Sequence, residues 1–195
     1  MPITREEVTD AALAVLRRDG LDALSLRTVA EHLGVRHNTV RWHVSTKAQL
    51  LELLSDRVLA GWDAGRLPEP PMERVRALYE IARRALLGHR DGARLVSGVF
   101  TTGPHTLSFT EAVLSALVEA GRSPRQAMWT HWSVFYFLLG LTTEQQAGTA
   151  DRAATLEQAL RDQHLPTLAQ AAPSLFEPDF DERFAHGLEA LLGKG

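Results

Sequence analysis

The chain has 195 residues, 45% of them hydrophobic and 23% charged, with no cysteine and a formal net charge of −3. That length supports a full core in one domain, or a small domain joined to a larger one. The lack of cysteine excludes a disulfide framework, a thiolate metal site and a cysteine nucleophile together.

The opening residues, Met1 to Glu7, contain no apolar run, so no signal peptide is expected and the protein reads as cytoplasmic. Thr4-Arg5-Glu6-Glu7 is a capping box, with Thr4 capping a helix and Glu7 reaching back three residues. Val8, Ala11, Ala12, Val15 and Leu16 then recur at helical spacing on one face, and Gly20 ends the helix. A second helix is predicted from about Ser25 to Leu33, stopped by Gly34, and a third from about His37 to His43. Ser45-Thr46-Lys47 starts a fourth, long helix through Leu50, Leu51, Leu54, Val58 and Leu59.

Leu67 to Pro71 reads as a loop, because proline removes backbone donors and restricts the residue before it. Helix five is predicted from about Met72 to Leu87, then a turn over His89–Gly92 and a short helix to about Val96. Thr101 to Pro104 breaks the chain again. Helix seven covers about Thr106 to Ala120, with Gly121 as its stop. Ser123-Pro124 is a start signal, and helix eight runs to about Gln146. Its apolar run from Ala127 to Leu141 is interrupted by Thr130, His131 and Ser133, too short and too polar for a membrane span. Ala147 to Pro173 is polar and alanine-rich, with room for one loose helix. Pro178 opens a last helix, Asp179 to Leu192. Strand alternation is nearly absent, so the fold class is all-α.

The segment from Leu26 to Val44 carries the clearest chemistry. Two helices that cross steeply through a three- or four-residue turn need a small residue in the first, and Ala30 supplies it. The turn needs a residue tolerant of positive φ, and Gly34 supplies it. Val29, Leu33, Val35 and Val40 supply the apolar inner faces. The outer face of the second helix presents Arg36, His37, Asn38, Thr39, Arg41 and His43, all able to bond bases or phosphates, with no acid among them. Asn38 is the only asparagine in the chain. At the start of a recognition helix it is suited to pair with adenine. Arg27 starts the preceding helix, where phosphate is favoured, and Lys47 starts the next. Trp42 reads equally well as core or as a DNA contact. Residues 1–47 carry seven Lys and Arg against six Asp and Glu, so this segment is locally basic while the remainder is acidic.

The stretch Leu33-Gly-Val-Arg-His-Asn-Thr-Val-Arg-Trp-His-Val-Ser-Thr-Lys-Ala-Gln-Leu-Leu51 resembles the DNA-binding domain of the tetracycline-repressor (TetR) family. The resemblance continues through Leu86-Leu-Gly-His-Arg-Asp-Gly-Ala93, and through Phe137-Leu-Leu-Gly140 followed by Glu144. Residues 101–110 and 147–178 fit it poorly. It implies DNA-contact roles for Arg27, His37, Asn38, Thr39, Arg41, Trp42, His43 and Lys47. It also implies an all-helical homodimer that represses transcription until a small molecule binds the core. The expected organisation is a helix-turn-helix domain over residues 1–47, a connecting helix over 48–66, and an effector-binding and dimerisation domain over 67–195. The expected partners are a double-stranded DNA operator, a small-molecule effector and a second copy of the chain, with no membrane and no cofactor or metal.

Val96, Val99, Phe100, Phe109, Val113, Met128, His131 and Phe135 are candidate cavity residues, with Glu144 near the edge. For each, plain core is the competing reading. His131 is either a satisfied core residue or a polar anchor for a ligand. Among family members that bind tetracycline, a histidine holds the drug's magnesium ion. The resemblance places Val96 at that position, and Leu78 and Ala82 where those members have a pocket asparagine and phenylalanine. A more apolar, metal-free effector than magnesium-bound tetracycline is therefore expected. Trp129, Trp132, Tyr136 and Phe137 make helix eight apolar nearly all round. Together with Phe184, Leu188 and Leu191 of the last helix, Trp129, Trp132 and Tyr136 are the expected dimer interface. HExxH, a phosphate-binding glycine loop, GxSxG and a paired-histidine metal motif are all missing, so an enzyme is not expected. The alternative is a helical protein-interaction or small-molecule-binding module without DNA binding.

Overall fold

The computed structural model describes residues 3–60, 66–148, 160, 165–176 and 179–193, which form helices and no strand. The first four helices are α1 (Arg5–Asp19), α2 (Leu26–Leu33), α3 (His37–His43) and α4 (Lys47–Val58). Thr4 and Glu7 form the reciprocal capping box, with the Thr4 N–H donating to the Glu7 carboxylate at 2.7 Å. Ser25 and Thr28 do the same for α2. Gly34 stands at φ 66°, in the left-handed region, and its N–H and that of Val35 both reach the Ala30 carbonyl. That turn swings α3 across α2, over the small and buried Ala30. Val8, Ala12, Val15, Leu24, Val29, Val40 and Val44 are wholly buried between these helices. Each large apolar side chain so buried contributes roughly 1.5–3 kcal/mol.

The larger body contains α5 (Pro71–Leu87), α6 (Gly92–Ser97), α7 (Pro104–Glu119), α8 (Pro124–Ala147), α9 (Pro166–Phe176) and α10 (Phe180–Leu192). Two helix starts differ from the predicted ones. α5 begins at Pro71 and α7 at Pro104, each with proline in the first turn. A proline there loses nothing, since the first N–H groups of a helix have no partner inside it, and its fixed φ suits the helix. The predicted opening residue of the last helix, Pro178, lies outside the described residues, as does much of the alanine-rich stretch after Gly148. Asp179 caps α10 by accepting from the Asp181 and Glu182 N–H groups.

α8 is the centre of the body and packs against α5, α6, α7 and α10. Its contact with α10 is close: a Cβ at Gly187 would fall 2.2 Å from the Phe137 ring. Phe137 and Phe184 stack at 6.2 Å. Gln146, near the C-terminus of α8, donates to the carbonyls of Leu86 and His89 and accepts from the Ala93 N–H, holding the α5–α6 turn.

α4 joins the two parts. Leu50 and Leu54 are wholly buried, and the helix packs on α1 as well as on α6 and α7. Further ties come from the α5–α6 turn and from α6. The Leu21 N–H donates to the Asp91 carboxylate at 2.9 Å, Arg90 donates to the Arg18 carbonyl, and Arg94 pairs with Asp22 at 3.0 Å.

Candidate functional site

Two regions collect the residues singled out from the sequence. The first is α3. Its N-cap, Arg36, makes no side-chain cap bond, so the helix N-terminus is open to an outside acceptor. Arg36, His37, Asn38 and Arg41 are exposed, while Thr39 and His43 are half-buried. Val40 is wholly buried and anchors the opposite side. Trp42 is 88% exposed, which removes the core reading for it. Lys47 begins α4 beside this surface and is exposed. Arg27 is exposed too, but its guanidinium pairs with Glu31 at 2.9 Å. Such an exposed pair is worth little, about 0.3–0.5 kcal/mol, and yields readily to phosphate.

The second region is a cavity of about 540 Å³ bounded by α4, α6, the α6–α7 loop, α7 and α8. Six of the predicted residues line it: Val96, Val99, Phe100, Met128, His131 and Phe135. The others do not. Leu78 and Val113 are wholly buried core, because their helical faces are filled by neighbouring side chains. Ala82 and Phe109 border a separate cavity of about 570 Å³ between α5, α7 and the end of α4. Glu144 lies further along α8 and pairs with Arg183 of α10 at 3.2 Å. The sequence reading missed as cavity residues Ser55 of α4 and Leu59 at its C-cap, the loop residues Thr101 and Thr102, and Thr106 and Thr110 of α7, which also line the wall. Ser55 and the threonines are single small polar residues, which carry no periodic signal, and Leu59 was marked by spacing only as part of the apolar stripe of α4.

His131 is 3% exposed and belongs to this wall. Its Nδ1 lies 3.0 Å from the Tyr79 hydroxyl, which is also within 3.2 Å of the His131 carbonyl. Burial lowers the imidazole pKa from 6.5 to about 4, and burial raises that of the Tyr79 phenol. His131 is therefore neutral at physiological pH. Its ring stacks on Phe135 at 5.6 Å, and Trp132 stands edge-on to Phe135.

Of the expected dimer residues, Trp129, Trp132, Tyr136 and Leu191 are at the surface, and Trp132 stacks on Tyr136 at 5.5 Å. Trp132 and Tyr136 also reach the cavity. Phe184 and Leu188 are 5% and 3% exposed, because their stripe is covered by α8 of the same chain. They are core of one protomer rather than free surface. Asp56 of α4 is a further residue unmarked by the sequence: it is 8% exposed and accepts the Thr106 N–H at 2.8 Å. Among the described residues no group of three or more His, Asp or Glu side chains comes together. None of the described helices is long and apolar enough to cross a membrane.

Comparison with known proteins covers both regions. A family model described as bacterial regulatory proteins, tetR family, matches residues 8–54, and one described as tetracyclin repressor-like, C-terminal domain, matches residues 67–193. The chain is similar to the tetracycline repressor protein class D of Escherichia coli, with 37% identity over 196 residues, covering 97% of this chain and 88% of that protein. It is similar to the crystal structure of a possible TetR family transcriptional regulator from Streptomyces coelicolor A3(2), with TM-score 0.86 and 32% identity over 97% of each chain. The structure of ActR from Streptomyces coelicolor in complex with actinorhodin superposes with TM-score 0.87 at 28% identity, covering 98% of this chain and 94% of that one.

Proposed function

The chain belongs to the tetR family of bacterial regulatory proteins and is a ligand-responsive helix-turn-helix transcriptional regulator; we propose that it acts in the cytoplasm as a homodimeric repressor, released from a palindromic operator by a small molecule. α3 is the reading helix. Asn38, Arg41 and Trp42 face the duplex, with Arg36, His37, Thr39, His43 and Lys47 around them and Arg27 on a flanking phosphate. Two copies read two half-sites, about 34–36 Å apart along the duplex. Exposed Trp129 and Tyr136 on α8 and Leu191 on α10 supply the surface that the second copy covers.

The observation that carries the effector part is the position of the cavity. Its wall includes Ser55 of α4 and the C-cap residue Leu59, at the far end of the helix whose start, Lys47, adjoins the reading surface. A molecule seated there pushes on α4 directly. A coupling of about 1–3 kcal/mol between the two sites shifts operator affinity five- to over a hundredfold. DNase I footprinting on the DNA flanking the protein's own gene tests the reading. Two protected half-sites of inverted sequence about one helical turn apart are expected; a single protected site, or none, contradicts it.

A further inference from the structure

We propose that the cavity selects an uncharged, flat, multi-ring aromatic molecule that carries a hydroxyl or carbonyl oxygen on its edge, that His131 reads this oxygen through Nε2, and that no metal ion takes part. The inference rests on the reading of the cavity as the effector site and gives that effector its chemical class.

Three observations support it. First, none of the described lining residues carries a formal charge; they are aliphatic, aromatic, hydroxyl-bearing, glycine, the thioether Met128 or the neutral His131. An ionised ligand entering such a wall loses its hydration without gaining a counter-charge. Second, the aromatic side chains there are arranged for flat rings. Phe135 stacks on His131 with 21° between the planes, and Trp132 meets Phe135 at 75°. A planar guest extends that array with the offset-stacked and edge-on geometries aromatic groups prefer. A cavity of about 540 Å³ also has room for several fused rings.

Third, the Tyr79–His131 pair makes the imidazole adaptable. When the Tyr79 hydroxyl donates to Nδ1, the ring proton sits on Nε2, which then donates to a carbonyl. When the hydroxyl donates instead to the His131 carbonyl at 3.2 Å, Nδ1 keeps the proton and Nε2 accepts from a ligand hydroxyl. Both states are neutral tautomers: exchange between them releases the Nε2 proton to solvent or ligand and takes one up at Nδ1, while the Tyr79 hydroxyl keeps its own proton and rotates from Nδ1 to the His131 carbonyl. Tyr79 is thus a positioning residue, and His131 the one that touches the ligand.

The test uses equilibrium dialysis of the full chain at pH 7.5 against 9-phenanthrol, phenanthrene, phenanthrene-9-carboxylate, and tetracycline with and without magnesium. 9-Phenanthrol is expected to bind roughly tenfold tighter than phenanthrene, the effect of one net hydrogen bond, and more tightly than the carboxylate or magnesium-bound tetracycline. His131→Phe is expected to bring phenanthrol and phenanthrene to equal affinity, the readout being the ratio of the two. His131→Leu provides the same comparison if the larger ring disturbs folding, which thermal unfolding reports. Val99→Trp, which places an indole in the cavity, is expected to weaken every probe. Tighter binding of the carboxylate or of magnesium-bound tetracycline, or an unchanged phenanthrol preference in both His131 variants, overturns the proposal and leaves the cavity reading intact. Binding untouched by Val99→Trp, or no binding of any probe, overturns the cavity reading and the proposal with it.

Discussion

Removing the Asp56 carboxylate should expose how α4 is fastened to the body. α7 starts at Gly103-Pro104, and Gly103 has no side chain to cap it. The cap comes from 50 residues away: Asp56 Oδ1 accepts the Thr106 N–H at 2.8 Å. Gly103 is glycine for the same reason, since a Cβ there would lie 2.2 Å from Asp56 Cγ. A buried hydrogen bond to a charged group is worth about 1.5–3 kcal/mol, so Asp56→Ala should cost about 2 kcal/mol. Gly103→Ala should cost a similar ~2 kcal/mol, because its methyl drives the carboxylate off the same N–H. Both substitutions remove the same Thr106 bond, so Asp56→Ala/Gly103→Ala should be destabilised by clearly less than the additive ~4 kcal/mol, the excess over ~2 kcal/mol coming from the new methyl, which still lies 2.7 Å from the Cβ of residue 56. Urea unfolding of the four proteins at pH 7.5 measures the cycle. Additivity of the two substitutions to within about 0.5 kcal/mol would refute the reasoning.

Three further outcomes are expected. The folded-state pKa of His131, about 4, lies below its ordinary 6.5, so acid favours the unfolded chain. The stability this neutral imidazole allows is complete above pH 6.5 and lost as pH falls toward 4, at most roughly 3 kcal/mol by linkage. His131→Phe should therefore lose less melting temperature than the natural chain between pH 7 and pH 4.5, and equal losses would contradict the assignment. Gly187→Ala presses a methyl into the Phe137 ring at the α8–α10 crossing and should destabilise by about 1–3 kcal/mol in thermal unfolding; a neutral result would mean the helices separate without cost. Trp129→Glu with Tyr136→Glu puts charge on exposed aromatic surface of α8. The pair should shift sedimentation from dimer to monomer while helicity by circular dichroism is kept, whereas an unchanged dimer would place the interface elsewhere.

Much of this architecture was legible in local signals. Thr4 with Glu7 sets a helix start through a reciprocal cap that needs only four residues of sequence, and Ser123-Pro124 marks another by a cap followed by proline. Gly34 marked the turn because few other residues accept its φ. Pro71 and Pro104 misled by one to two residues, since proline signals a break whether it ends a helix or begins one. Longer-range features were less visible. Val96 and Val113 both read as candidate cavity residues and the resemblance added Leu78, but only packing decides that Val96 meets a cavity and the other two do not. The stripe through Phe184 and Leu188 is real, yet spacing does not say whether its cover is α8 of the same chain or a partner. The Tyr79–His131 and Asp56–Thr106 contacts join residues 52 and 50 positions apart, and nothing local announces either.

The most direct test is fluorescence anisotropy of a labelled duplex carrying the footprinted site, titrated with the natural chain, Asn38→Ala and Arg41→Ala over a series of KCl concentrations. Binding should weaken steeply with salt, as phosphate contact requires. Asn38→Ala should lose about 1–3 kcal/mol of affinity for that site and little for unrelated DNA. Arg41→Ala should weaken both and lower the salt slope by about one. Because both side chains are exposed, unfolding midpoints should not move. Salt-independent binding, or full affinity in both variants, would contradict the assignment of α3 as the DNA-reading helix.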